Sequence, residues 1–356
     1  MTNLIIVTDP GKCLDDENTL ILAGQLQRLN LINLLAVVAV LTPSKKRALL
    51  AKGTLKQVGL GDVPVGQGSD CGVPDTGESD HEFEGITYLA DESEISDGMA
   101  LLVSTLERED VADKSVTLLL IAGQTDPAAL LRNHEALFLR KVQRAVIMGG
   151  VVQKDDHIFI NDEGFMEPDK ASNNEFDPEA AKFLYRRLQE LNIAITVLSR
   201  EAAYACPVPR NHYDHMVETG NAVGIKLHDF QKRLIEAVWR RANYPADDVR
   251  RERLPNRCNR DWFLNAFCGG KGVDRKAEDS IWDLILQFFL YDPMTLVAAV
   301  PDLRDKYFAP EFAKVGTAQH EVIGLSAKNR GVKDGQGVVD FLCENIVAGL
   351  ETPTES

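Results

Sequence analysis

Short apolar runs separated by amphipathic stretches recur along this chain, and that alternation restricts the fold more than any other feature. Residues 4–8, 34–41, 63–65, 116–121, 144–148 and 193–198 have the length and apolar content of buried strands. Helical patterns occupy 44–58, 126–139 and 178–191. Another stretch, 20–29, opens behind Asp15-Asp16-Glu17-Asn18, acids placed where a helix N-terminus favours them. Strands alternating with helices predict an α/β fold: a mostly parallel central sheet with helices on both faces and a helical C-terminal part. Such sheets bind ligands at the carboxyl ends of their strands. The chain of 356 residues has no internal repeat and no convincing linker, so one domain is expected over 1–350. Insertions fall near 69–97 and 232–280, and a flexible tail at 351–356. Residues 281–290 read as an apolar helix running into Tyr291-Asp292-Pro293.

Charge narrows the function. Acidic residues outnumber basic ones 54 to 39, a formal net charge of −15. A surface of that sign repels phosphate backbones, which argues against nucleic acid as a partner. No stretch approaches the ~18 apolar residues of a membrane span, and the apolar run at 4–7 is too short for a signal peptide. A cytoplasmic protein without a membrane partner is expected. The six cysteines form no Cys-x-x-Cys pair and read as reduced thiols. Local charge departs from the mean twice. Residues 69–97 form an acidic, glycine-rich loop. Residues 232–260 carry nine cations, read either as a solvated face or as a patch facing phosphate or carboxylate.

The sharpest local feature is Thr8-Asp9-Pro10-Gly11-Lys12-Cys13-Leu14-Asp15-Asp16. It sets one carboxylate at a strand end and two more at the start of the next helix. Three carboxylates brought that close repel one another, and each is driven toward protonation unless a cation intervenes. An all-oxygen set suits a hard ion, calcium before magnesium, because calcium tolerates irregular geometry and backbone carbonyls. The competing reading is that Asp15 and Asp16 cap their own helix while Asp9 caps the turn. Other chemistries find less support. No Gly-x-Gly-x-x-Gly, phosphate-binding Gly-Lys-Ser/Thr or Gly-x-Ser-x-Gly sequence is present. His212 and His215, beside Asp214, have zinc-compatible spacing but no evident third ligand.

The acidic segment resembles the signature of the inosine-uridine-preferring nucleoside hydrolases, Asp-x-Asp-Pro-Gly-x-Asp-Asp. Further resemblances follow in order: His81-Glu82-Phe83-Glu84-Gly85-Ile86, the 118–131 strand and helix, Met148-Gly149-Gly150, Asn173 with Asp177-Pro178-Glu179-Ala180-Ala181, and Tyr291-Asp292-Pro293. The resemblance implies a nucleoside hydrolase-like (Rossmann-like) fold and a homo-oligomer, dimer or tetramer. It implies hydrolysis of an N-ribosyl bond in a small-molecule ribosyl substrate with Ca2+ as cofactor. Asp9, Asp16 and Asp292 would bind the ion through carboxylates, with the Ala122 carbonyl as a further ligand. Asp9 would also take a proton from the attacking water. Asp15, Asn173 and Asn161 would hold ribose hydroxyls, and His81 would lie near the base.

Departures from the family pattern point to a shifted substrate. The leading Asp is Val7, and two extra residues lie between Gly11 and Asp15. The Glu two positions before Asn173 is Ala171, which removes a contact at the sugar's 5′ end. No Asn follows the second strand among Val40, Leu41 and Thr42. The histidine of the His-Asp pair is Tyr291, a poorer acid that can still stack or donate a hydrogen bond. Losing 5′-side Glu beside a cationic segment favours a 5′-substituted or phosphorylated ribosyl compound. The alternatives are a ribosyl- or nucleotide-binding protein with little catalysis, and a hydrolase of another sugar bond.

Overall fold

The computed structural model describes residues 1–11, 13–73, 82–251 and 254–351. Nine strands form the central sheet: β1 (Thr2–Thr8), β2 (Ile32–Ala39), β3 (Val65–Gln67), β4 (Ile95–Asp97), β5 (Val116–Leu120), β6 (Val142–Met148), β7 (Ala194–Leu198), β8 (Glu311–Val315) and β9 (Ala318–Ile323). Their spatial order is β8-β9-β7-β6-β5-β1-β2-β3-β4. Every neighbouring pair is parallel except the β8–β9 hairpin. The expected α/β architecture is therefore present. Strand order reverses at β1, which has β2 on one side and β5 on the other. A crevice at the carboxyl end of such a switch point is where open parallel sheets take ligands.

Register brings the strand ends level. Thr8 pairs with Ala39, Val7 with Leu120, Leu120 with Ile147, and Met148 with Leu198. Residues just beyond β1, β5 and β6 thus share one rim. The strands are apolar on both faces because helices cover both; β5 is buried along its whole length. The first helix, Asp15–Arg28, is buried from Asp15 through Gly24, acids included, and packs against helices Tyr291–Ala299 and Gly335–Leu350. That packing joins chain segments about 276 residues apart, as the Tyr291–Asp15 hydrogen bond shows.

Two compact units divide the chain: Met1–Cys206 with Leu290–Ser356, and Pro207–Phe289. The sheet and its core belong to the first. The second holds helices Asn211–Glu218, Ala222–Ala242 and Arg260–Cys268, and closes on the antiparallel pair Val208–Phe288 and Pro209–Gln287. Aromatic rings fill its interior: Trp239 on Phe263 at 5.2 Å, Phe263 on Phe267 at 5.1 Å, and Tyr213 on Phe288 at 5.3 Å. The cationic stretch 232–260 lies inside this unit, which is wider than the insertion read at 232–280.

Three sequence expectations change. Residues 281–290 are not a helix: a short 3-10 turn, Trp282–Leu284, precedes the strand pair Gln287–Phe288, and the helix begins only at Tyr291. An apolar run rich in aromatic and β-branched residues reads equally as buried strand or helix, and pairing with residues 208–209 decides it. The 126–139 stretch is two helices, Thr125–Asn133 and Glu135–Lys141, with His134 between them out of helical geometry. Strand 63–65 shifts to Val65–Gln67, beyond Pro64, which has no N–H for a ladder. The 69–97 stretch ends in β4, and its residues 74–81 lie outside the described residues, as does the tail from 352. Among the described residues no helix is long and apolar enough to cross a membrane.

Candidate active site

Chain geometry at the end of β1 decides what the acids do. Gly11 takes a φ of 108°, a backbone conformation that side-chain-bearing residues rarely adopt, and lets the chain reverse. Pro10 and Cys13 form an isolated bridge across the turn. The helix then starts with Leu14 at its N-cap, which makes no side-chain cap bond. Asp15 and Asp16 are accordingly free to reach away from their own helix.

Each acid is tied to a different element. Asp16 Oδ1 accepts from Thr8 Oγ1 at 2.5 Å and from the Asp9 amide at 2.9 Å, so its carboxylate is locked to the end of β1. Asp15 Oδ2 accepts from the amides of Tyr291 (3.2 Å) and Asp292 (3.4 Å). Those are the first two amides of helix Tyr291–Ala299, whose N-cap, Leu290, makes no side-chain bond. Asp15 therefore caps a helix distant in sequence, not its own, and in doing so seats Asp292 beside itself.

The result is a buried acidic cluster. Asp15, Asp16 and Asp292 each offer a carboxylate oxygen, all within 4.8 Å of one another. Asp9, also buried, stands close enough for its charge to act on Asp16 and Asp292. Burial, then the charges of Asp9 and Asp15, push the Asp16 carboxyl well above its ordinary value. Burial and the charges of Asp15, Asp16 and Asp9 do the same to Asp292. Asp15 is also raised by burial, against the lowering effect of the backbone amides it accepts. The charges that weigh most on Asp16 and Asp292 are those of the other acids. An all-carboxylate, desolvated set of this kind fits a hard divalent cation, which would relieve the repulsion.

The other expected site residues fall as follows. Ala122 is buried just past β5, where the Ile121 amide donates to the Val7 carbonyl at 2.9 Å. Asn173 bridges neighbouring strand ends: its Nδ2 donates to the carbonyls of Ile121 (3.0 Å) and Met148 (3.2 Å). Asn161 is engaged within its own loop. Its Oδ1 accepts from the amides of Glu163 and Phe165, and its Nδ2 donates to Glu167, so none of these bonds ties it to the acids. Tyr291 is half-buried with the Tyr204 ring edge-on at 6.4 Å, and burial with the charges of Tyr204 and Asp15 pushes its hydroxyl far up. It therefore stays a neutral phenol. His81 lies outside the described residues.

Several contributors had no sequence signal. Thr8 reads only as the last strand residue, yet its hydroxyl anchors Asp16. Asn174, hidden next to Asn173, accepts from Gln124 Nε2 at 2.8 Å and donates to the carbonyls of Gly150 and Asp169, fixing the short helix Ser172–Glu175 that presents Asn173. Of the described cations in 232–260, Lys232, Arg233, Arg240, Arg250 and Arg257 are exposed, as a solvated face requires, while Arg251 and Arg260 hold the chain's own carbonyls. Arg251 is buried and donates to four carbonyls, those of Arg241, Tyr244, Pro255 and Cys258, while Arg260 lies over Trp239 and donates to the carbonyls of Gly272, Val273 and Arg275.

Comparison with known proteins bears on the family and the fold. The family described as inosine-uridine preferring nucleoside hydrolase matches residues 4–342. Among solved structures, the chain is similar to the effector protein XOO4466 (30% identity, TM-score 0.81, covering 98% of this chain and 94% of that one). It is also similar to the type III effector protein XopQ, solved in complex with adenosine diphosphate ribose (29% identity, TM-score 0.80, covering 98% and 93%). A purine-preferring ribonucleoside hydrolase from Gardnerella vaginalis shares the fold at 13% identity (TM-score 0.60, covering 98% and 99%). A comparison with curated proteins found no match.

Proposed function

The chain belongs to the inosine-uridine preferring nucleoside hydrolase family, and from that premise we propose that it hydrolyses the N-ribosyl bond of a 5′-substituted ribosyl compound. Calcium would be held by Asp9, Asp16, Asp292 and the Ala122 carbonyl. The observation that carries this reading is the buried acidic cluster at the rim of the sheet, where Asp16 and Asp292 come together with Asp15. Asp9, which takes the place of Asp15 in the proposed ligand set, stands close enough for its charge to act on both Asp16 and Asp292. A divalent ion bound there supplies positive charge that lowers the pKa of a nearby water.

The chain's own residues do the remaining work. Asp9 accepts a proton from the attacking water as its oxygen bonds to C1′ and the bond to the base breaks. Positive charge developing on the sugar is stabilised by the surrounding carboxylates. Asp15 and Asn173 hold ribose hydroxyls, each fixed in place by the amides and carbonyls that it engages. A 5′ substituent is supported by Ala171, which stands where the family pattern has Glu. It is supported too by a relative 29% identical that was solved with adenosine diphosphate ribose, a ribose carrying a diphosphate at its 5′ oxygen.

Tyr291 favours a second reading. A phenol whose pKa is pushed up is a weak proton donor to a departing base, and general acid catalysis contributes about 10²–10⁴-fold in rate. A ribosyl-binding protein with little turnover fits that residue. One screen separates the two: nucleosides, nucleoside monophosphates and nicotinamide dinucleotides, with calcium or with chelator, read by release of free base. Hydrolysis is expected for a 5′-substituted compound, lost with chelator and slowed about 10²–10⁴-fold by Asp9→Ala. Ligand-dependent thermal stabilisation without base release supports the binding protein instead. Neither turnover nor stabilisation by any of these compounds would contradict both.

A further inference from the structure

A buried cation lies behind the acidic turn and plays no part in the chemistry above. Arg47, on helix Ser44–Gln57, is 1% exposed. Its Nη1 donates to the carbonyls of Asp9 (3.2 Å) and Pro10 (2.9 Å). Its Nε donates to the carbonyls of Leu41 (3.2 Å) and Thr42 (3.3 Å), and its Nη2 to that of Thr42 at 3.0 Å. Nη2 also lies 2.9 Å from Glu82 Oε2, and the Phe83 ring centroid is 5.6 Å from the guanidinium carbon. One planar side chain thus joins the loop after β1, the loop after β2 and the Glu82–Phe83 segment.

Burying a guanidinium costs several kcal/mol unless its N–H groups and its charge find partners; here four carbonyls accept from all three nitrogens and Glu82 supplies the opposite charge. The arrangement is constrained on every side. Leu41, whose carbonyl faces Arg47, sits at φ 70°, a strained conformation for a side-chain-bearing residue that the surrounding bonds must hold. A Cβ placed on Gly11 would stand 3.0 Å from Phe83 Cε1 and 3.3 Å from Arg47 Nη1, so the turn is packed directly on the pair. The carbonyls of Asp9 and Pro10 flank the peptide that sets the direction of Asp9, and the Asp9 amide is the one that holds Asp16.

We propose that Arg47 is a positioning residue: its guanidinium fixes the Asp9-Pro10 turn and thereby the spacing of Asp9 and Asp16. Lysine cannot replace it, since an ammonium carries the charge but not a planar fork reaching four carbonyls. The proposal rests on the reading of the acidic cluster as a cation site, and its test is chosen to stand apart from that reading.

Amide hydrogen exchange of the metal-free full-length protein reads the turn directly, through peptides containing the Asp9 amide. In Arg47→Lys and Arg47→Met, exchange there is expected to be about tenfold faster, as for loss of a charge-assisted hydrogen bond, while peptides covering β5 exchange as in the parent. Arg47→Lys keeps the charge and serves as the deciding variant if Arg47→Met does not fold. Calcium affinity by calorimetry is expected to fall about 10- to 100-fold in the same variants, the usual consequence of removing a residue that orients ligands. Unchanged exchange at Asp9, or acceleration alike in every peptide, would overturn the positioning role. If the parent binds no calcium, the cation reading fails while the exchange result still decides Arg47.

Discussion

Asp16 shows how one residue joins the two halves of the account. Its carboxylate is the acceptor for Thr8 and for the Asp9 amide, yet it stands among acids that raise its pKa. A buried acid whose folded pKa exceeds the free value of about 3.9 favours folding while protonated, and that contribution is lost as pH rises through the folded pKa. Without metal, the cluster therefore weakens the fold from the ordinary carboxylate range upward. Asp16→Asn keeps an acceptor oxygen for both donors and removes one charge. It is expected to raise the melting temperature of the metal-free protein at neutral pH by about 2 °C or more, with a smaller gain at pH 4, and to abolish stabilisation by calcium. Differential scanning calorimetry with and without calcium checks both; a lower metal-free melting temperature at neutral pH would contradict the electrostatic argument. The sequence made these acids legible because a strand-turn-helix segment with three carboxylates has few uses. It could not show that Asp15 caps the distant Tyr291 helix, because that bond depends on packing between segments far apart in the chain.

Elements were readable where periodicity and length agreed. Strands β1, β2, β5, β6 and β7 and the helices at Ser44–Gln57 and Pro178–Glu190 carry apolar patterns that tertiary contacts only confirm. Residues 281–290 failed because a ten-residue apolar run has no period of its own, and its partner, Val208–Pro209, lies about 80 residues away. Arg47 was invisible for a related reason: beside Lys45 and Lys46 it reads as one more surface cation, and only the fold turns it inward. The helix Asn211–Glu218 carries a similar surprise. His212 is buried with neither ring nitrogen hydrogen-bonded, against the Tyr213 ring, and burial followed by the charge of His215 lowers its pKa to about 4. The unfolded chain protonates this histidine near pH 6.5, the folded chain only near 4. Stability is therefore lost as pH falls across that window, by up to about 3 kcal/mol. His212→Phe removes two unpartnered nitrogens and is expected to raise the melting temperature more at pH 5 than at pH 7.5; an equal change at both would show that titration of His212 is not involved.

At the scale of the molecule, fold and site were legible together, since the site residues sit at strand ends that the alternation already implied. The second unit was not. Pro207–Phe289 interrupts the sheet-bearing unit between β7 and the Tyr291 helix, so Asp292 reaches the cluster only after the chain has completed a separate aromatic core. Sequence showed its cations but not that Arg251 and Arg260 are used to hold its own carbonyls. Among the described residues, burial and the other acids of the cluster weigh most on the Asp16 and Asp292 carboxyls, a repulsion that a bound cation would relieve. Calorimetric titration of the chelator-treated protein with calcium chloride tests that directly. One ion per chain is expected to bind, with the heat lost in Asp292→Ala; no heat in the parent protein, or the same heat in that variant, would contradict it.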